Sequence, residues 1–242
     1  MLFRSPLTLL RWLAAISAAG MVLSFTRAAW IGAIVGAVCF AVLAARTMQI
    51  RIRVGRTVAA LAGLAALLLL LSLPAGIAGE FFRFKLLNLL NLESTTAVLR
   101  LTVYAMAFEQ TLAHPILGWG TFTFAPLVAQ GADFRQFEGW RNLWIGNFLL
   151  LGLHDTGIVG LSLWLALIAM ILVVAVRAAR ALSVSDPIGG ARTVALTAAV
   201  VSLFVSFLST SGFSFGYTWL LIGLLGAHAR LAEGEGARLI SR

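Results

Sequence analysis

Six apolar runs limit what this chain can become: Leu7–Ser24, Ala28–Ala45, Thr57–Ala75, Phe148–Val176, Val194–Ser209 and Phe213–Ala229. Each is close to the roughly 20 residues that carry a helix across the hydrocarbon core of a bilayer. None breaks into the ~10-residue alternating segments of an outer-membrane barrel. Only 11% of the 242 residues are charged and 61% are hydrophobic, whereas a soluble domain covers its surface with about 25% charged residues. Lipid must therefore be part of the solvent. The expected fold is all-α: a polytopic transmembrane helix bundle of about six spans, with a large extracytoplasmic loop that contains an amphipathic helix.

Charge asymmetry gives the expected orientation, because short cytoplasmic loops are enriched in Lys and Arg. Arg4, Arg11, Arg46, Arg51, Arg53, Arg56, Arg177, Arg180, Arg192, Arg230, Arg238 and Arg242 fall on one side of the runs. Their acidic company is Asp186, Glu233 and Glu235, so that side carries the whole formal net charge of +9. The other side, with Arg27, the segment Gly79–Asn147 and Asp155, is balanced. Both termini are expected in the cytoplasm and Gly79–Asn147 outside. The basic balance follows from topology and anionic membrane lipid, and no nucleic-acid partner is implied. The single cysteine, Cys39, excludes an intrachain disulfide.

Three parts follow from this layout. Residues 1–78 hold transmembrane helices 1–3, residues 79–147 the extracytoplasmic loop with a helix at about 95–114, and residues 148–242 helices 4–6 and a cytoplasmic tail. The loop is a polar island: Glu80, Glu93, Glu109, Asp133 and Glu138 sit among Arg83, Lys85, Arg100, Arg135 and Arg141. Ser94, Thr95 or Thr96 can cap its helix and Pro115 stops it. At 100° per residue, Arg100, Tyr104, Ala107, Thr111 and His114 fall on one stripe, with Glu109 opposite. Phe81–Lys85 is expected to lie in the outer interface, and Gln130–Arg141 to be a mobile loop. Trp140 and Trp144 mark the outer interface before the fourth helix, and Gly32 and Gly36 form a small-xxx-small pair suited to close helix approach.

The sequence contains no HExxH, phosphate-binding Gly-rich loop, paired-Cys zinc spacing or GxSxG, and three scattered histidines make no metal site. No cofactor is expected. Ionisable groups at helix mouths are functional candidates, and Arg27 and Arg100 stand out because a guanidinium matches phosphate oxygens in a planar fork. The competing role for Arg27 is to cap a neighbouring helix or to pair with Asp155. Asn147 and His154, seven residues apart, share a helix face, and Asp155 is rotated by about 100° from His154.

Ser24-Phe25-Thr26-Arg27-Ala28-Ala29-Trp30 resembles a signature of the O-antigen ligase and polymerase family of bacterial inner-membrane proteins. Arg100, followed by His114-Pro115-Ile116-Leu117-Gly118-Trp119-Gly120, is similar to a segment of that family's periplasmic loop. Residues 147–160, reading NFLLLGLHDTGIVG, resemble the segment at the start of its next helix. The resemblance implies a metal-independent glycan transferase. Its donor would be a polyprenyl-diphosphate-linked glycan, and its acceptor a glycan or lipid-linked glycan on the outer face. It implies that Arg27 and Arg100 contact the donor diphosphate and that a loop histidine activates the acceptor hydroxyl.

Two departures qualify that expectation. Where the family usually has histidine, just before Asn147, this chain has Gly146. The base then falls to His154 or Asp155, or to His114 on the arginine stripe, with Tyr104 and Asn147 in support. The family's members are also generally longer, so the chain resembles their C-terminal half, and a partner supplying the missing helices enters the expectation. The competing readings are a truncated or non-catalytic relative acting as an assembly subunit and, last, a small-solute transporter.

Overall fold

Every regular element among the described residues is an α-helix. The computed structural model describes residues 6–24, 26–48, 76, 79–80, 83–84, 87, 95–130, 143–210, 212 and 215–240. The third apolar run, most of the Phe81–Lys85 patch and residues 131–141 lie outside them. In chain order the helices are α1 (Pro6–Leu23), α2 (Arg27–Met48), α3 (Thr95–Ala113), α4 (Phe124–Gln130), α5 (Phe148–Ser185), α6 (Pro187–Phe207) and α7 (Gly216–Ile240). Among them α2, α5 and α6 are long and apolar enough to cross a membrane, and α1 contributes a shorter apolar helix, Thr8–Met21. The fold is an all-α membrane bundle.

α1 and α2 are joined by a tight turn. Ser24 Oγ donates to the Met21 carbonyl at 2.7 Å, and the Trp30 indole Nε1 reaches back to the same carbonyl at 3.0 Å. This staple sets Arg27 as the first residue of α2. Apart from that turn α1 stands clear of the bundle, with every side chain from Leu9 to Gly20 exposed, as a helix surrounded by hydrocarbon can be.

The most extensive helix contact is between α2 and α6, and glycine makes it close. Gly32 lies against Ser202 and Ser206 of α6, and a Cβ at Gly36 would stand 2.7 Å from the Ser202 Cβ and 3.2 Å from the Ala198 carbonyl. In lipid, helices gain nothing by leaving one apolar solvent for another, so small residues that let backbones approach carry the packing. α5 and α7 complete the bundle around Ala175, Val200 and Leu225.

α5 departs from the single span expected over Phe148–Val176. At Gly157 the backbone takes φ 63°, ψ −170°, a region essentially reserved for glycine. Residues 148–156 fold back on the residues that follow. A Cβ on Gly152 would stand 3.2 Å from Leu161 Cδ1 and 3.5 Å from the Trp164 ring, and Phe148 packs in one cluster with Trp164 and Ile168. In a straight helix Gly152 and Trp164 would be about 18 Å apart. Hydropathy sees only an unbroken apolar run, because both arms are apolar and the turn is one residue.

The break would strand backbone groups, and the Pro115–Gly120 turn satisfies them. In an unbroken helix the Ile158 and Val159 amides would donate to His154 and Asp155. Here the His154 and Asp155 carbonyls accept from the Trp119 and Gly120 amides, both at 2.9 Å. The Ile158 and Val159 amides donate to Pro115 and Ile116 at 2.9 and 3.3 Å. One helical turn has been exchanged for a docked loop. With α3 and α4 this loop forms a cap over the fold-back arm, built on Val103, Ala107, Phe124, Val128 and Ile145.

Candidate functional site

The C-terminal end of α6 is where the candidate residues meet. Ser206 Oγ donates to the Ala28 carbonyl at 3.1 Å, next to Arg27 at the start of α2. The Leu208 carbonyl accepts from Asn147 Nδ2 at 2.9 Å, and Ser209 Oγ accepts from Arg100 Nη1 at 2.6 Å. Ser206 and Ser209 are three residues apart, about 4–5 Å along a helix. The Arg27 end of α2, Arg100 of α3 and the first turn of α5 therefore gather around one helix end. Asn147 is fixed twice over, since its Oδ1 also caps α5 by accepting from the Leu149 and Leu150 amides at 2.9 and 3.1 Å. Helix C-termini carry partial negative charge, so a guanidinium and an amide donor here also serve the helix.

Beside Arg100 is a cavity of about 250 Å³ lined by Leu99, Arg100, Val103, Tyr104, Leu143, Trp144 and Gly146. Tyr104 Oη donates to the Gly146 carbonyl at 2.9 Å. Burial pushes the Tyr104 phenol pKa above its ordinary value, and the neighbouring Arg100 charge partly offsets this. A Cβ built on Gly146 would stand 3.3 Å from the Trp144 indole nitrogen and 3.8 Å from Tyr104 Oη. The space in which a side chain at position 146 would begin thus borders Tyr104 and Trp144.

His154 and Asp155 lie elsewhere, at the far end of the fold-back arm. Seven helical residues separate Asn147 from His154, about 10 Å along the arm. His154 is fully buried and Asp155 is 9% exposed. His154 Nδ1 is 2.8 Å from Asp155 Oδ1, and Nε2 is 2.9 Å from the Gln110 side-chain amide, with Phe124 edge-on to the ring at 5.6 Å. A carboxylate only accepts, so Nδ1–H donates to Asp155. On the other side of the ring the atom facing Nε2 is Gln110 Oε1, so both ring nitrogens have a partner. The Gln110 backbone carbonyl also accepts from Trp119 Nε1 at 2.7 Å, so this knot ties α3 and the docked turn to α5.

The stripe on α3 therefore divides. Arg100 and Tyr104 border the cavity, and Ala107 and Thr111 are buried, with the Thr111 hydroxyl spent on the Ala107 carbonyl at 2.7 Å. His114 is exposed and stands edge-on to Trp119 at 4.0 Å. It is fourteen residues past Arg100, about 20 Å along the helix axis. The structure thus brings Arg100, Tyr104 and Asn147 to the same helix end as the start of α2, and keeps His114, His154 and Asp155 apart from it. Sequence reasoning missed Ser206, Ser209 and Gln110. A glutamine off the polar stripe of an amphipathic helix was the available signal for Gln110; serines near a helix end gave none. Among the described residues no group of three His, Cys, Asp or Glu side chains is placed to hold a metal ion.

A helical membrane bundle with a docked loop over one end and arginine-bearing segments at one helix end defines a class: polytopic α-helical membrane proteins. The family model described as O-antigen ligase matches residues 12–165. That stretch holds both arginines, the docked turn and the whole fold-back arm, and the chain belongs to the O-antigen ligase family. A comparison with curated proteins returns no match.

Proposed function

We propose that this family member transfers a glycan from a polyprenyl-diphosphate carrier to a hydroxyl of an acceptor sugar, at the outer face of the bacterial inner membrane. The observation that carries the reading is the convergence at the end of α6. Arg100 bonds Ser209, and the Ala28 carbonyl beside Arg27 bonds Ser206. Two arginine-bearing segments tied within one helical turn of a common support suit a diphosphate, which takes on negative charge as it leaves. Preorganised donors aimed at developing charge are worth most where water is scarce.

In the transfer, the acceptor oxygen bonds to the anomeric carbon as the bond from that carbon to the diphosphate oxygen breaks. The electron pair of the broken bond stays on the lipid diphosphate, and the hydroxyl proton goes to a base. His154, oriented by Asp155, has the arrangement of a general base held by a carboxylate. It is buried about 10 Å along the arm from Asn147, so it acts as one only when the arm moves to bring it to the helix end and the Gln110 side chain turns away from Nε2. Both chain ends are cytoplasmic in this reading, and exposed α1 is the face against which a partner's helices pack.

A second reading, a non-catalytic assembly subunit, draws on Gly146, which places no side chain in the cavity, and on the burial of His154. The deciding experiment is glycan transfer in a strain lacking the native protein, complemented with the wild-type chain or with Arg27→Lys and Arg100→Lys. Transfer that depends on both arginines supports the enzyme. Undiminished transfer in both variants removes the diphosphate role, and no transfer by the wild-type chain favours the subunit.

A further inference from the structure

The cavity beside Arg100 has features that diphosphate binding alone leaves unused. One wall is the Trp144 side chain, 68% exposed although it borders the cavity. Another is the Tyr104 phenol, and the floor at Gly146 has no side chain. Arg100 supplies the cationic edge. At about 250 Å³, with liquid water taking about 30 Å³ per molecule, the space holds roughly eight waters' volume. That suits one sugar ring and is too small for an oligosaccharide or a polyprenyl chain.

The lining chemistry matches a sugar better than a lipid. The C–H bonds on one side of a pyranose carry slight positive charge and fit the electron-rich face of an aromatic ring. Leu99, Val103 and Leu143 offer apolar contact to that surface, and Tyr104 Oη and the Trp144 indole N–H are polar groups within reach of ring hydroxyls. From these residues we infer that the cavity is a glycosyl-phosphate subsite: Trp144 stacks on the sugar attached to the carrier, while Arg100 holds the phosphate next to it. This rests on the transferase reading and deepens it, because it separates recognition of the first sugar from recognition of the diphosphate.

The test uses the full chain in lipid nanodiscs, labelled with 5-fluorotryptophan at its seven tryptophans. The Trp144 fluorine resonance is assigned by its loss in Trp144→Phe. Glucose, galactose and mannose 1-phosphates, the free hexoses and inorganic phosphate are titrated in turn, and glycan transfer is measured on the same preparation. The expected result is a saturable shift of the Trp144 resonance with at least one hexose 1-phosphate and none with phosphate alone. The favoured sugar phosphate should bind about two- to tenfold more tightly than phosphate, the scale of one aromatic contact. Measured by isothermal titration calorimetry, which needs no Trp144 resonance, Trp144→Ala should erase that margin and Trp144→Phe should keep most of it.

A preparation that transfers glycan while the Trp144 resonance ignores every sugar phosphate overturns the subsite and leaves the transferase standing. Trp144 is then an interfacial anchor only. A sugar-specific shift without transfer keeps the sugar-phosphate site and removes the transferase reading, and neither shift nor transfer overturns both.

Discussion

Gly118 and Gly157 meet backbone to backbone: a Cβ built on Gly118 would stand 2.6 Å from the Gly157 nitrogen. Both residues have positive φ, 73° and 63°, and a Cβ on Gly157 would run into the Ile116 carbonyl. Two glycines from opposite sides of one contact are what allow the docked turn to replace a turn of α5. Alanine at either position combines backbone strain of about 1–3 kcal/mol with a collision against main chain, which cannot rotate away. Gly118→Ala and Gly157→Ala should each lower the melting temperature of the purified protein sharply. Gly20→Ala, at a site with nothing within 4 Å, should not; equal melting of all three would refute the docking.

The buried knot gives a prediction that separates a base from a brace. If Gln110 only screens His154, Gln110→Ala should keep transfer near the wild-type rate or raise it, while His154→Ala abolishes it with a folded protein remaining. If the pair is purely structural, both variants should lose stability together, because each leaves a buried polar partner unsatisfied at about 1–3 kcal/mol. Melting temperature and transfer rate measured on the same samples distinguish the two.

Arg27→Lys and Arg100→Lys keep the charge and lose the planar fork. Each is expected to slow transfer by about 10²–10³, the usual cost of one preorganised donor. Ser209→Ala removes only the support of Arg100 and should cost much less. A ranking in which Ser209→Ala is the worst of the three would show that Arg100 serves the helix end rather than the substrate.

Tyr104 supplies a pH dependence with a definite sign. Its phenol pKa is raised by burial, so the protonated form is the one favoured in the folded chain. The Oη–H bond to Gly146 is therefore complete below the ordinary tyrosine value of about 10 and is lost only as pH rises through the higher folded value. Tyr104 and Tyr217 are the two tyrosines. The absorbance change at 295 nm that is present in the wild type and missing in Tyr104→Phe should fall above pH 10. A component titrating below that would contradict the burial.

Cysteine accessibility checks the orientation. In a Cys39→Ser background, cysteines at Ser94 and Gln130 should react with an impermeant thiol reagent in intact cells, and one at Arg53 should react only after lysis. The reverse pattern would invert the chain in the membrane.

Among the described residues the all-α membrane character was legible because lipid imposes a length and a polarity that any sequence must display. Arg27 at the start of α2, Asn147 at the start of α5 and the end of α3 before Pro115 all follow from local rules of turns and caps. The geometry of the candidate site was not legible in the same way. A straight helix begun at Asn147 places His154 in its first turns, on the face of Asn147. One φ value at Gly157 turned that helix back and buried the ring. Ser206 and Ser209 became supports for the two arginine segments through contacts spanning 178 and 109 positions in the chain, which no local pattern records.

The exchange of hydrogen bonds at Gly157 also sets an order of biogenesis. The carbonyls of His154 and Asp155 and the amides of Ile158 and Val159 bond to residues 115–120, and each such group left bare in hydrocarbon costs several kcal/mol. Those partners leave the ribosome some 40 residues earlier. The upstream loop is thus delivered before the broken helix is made, and α5 can settle into the bilayer against a template already waiting on the side where it turns.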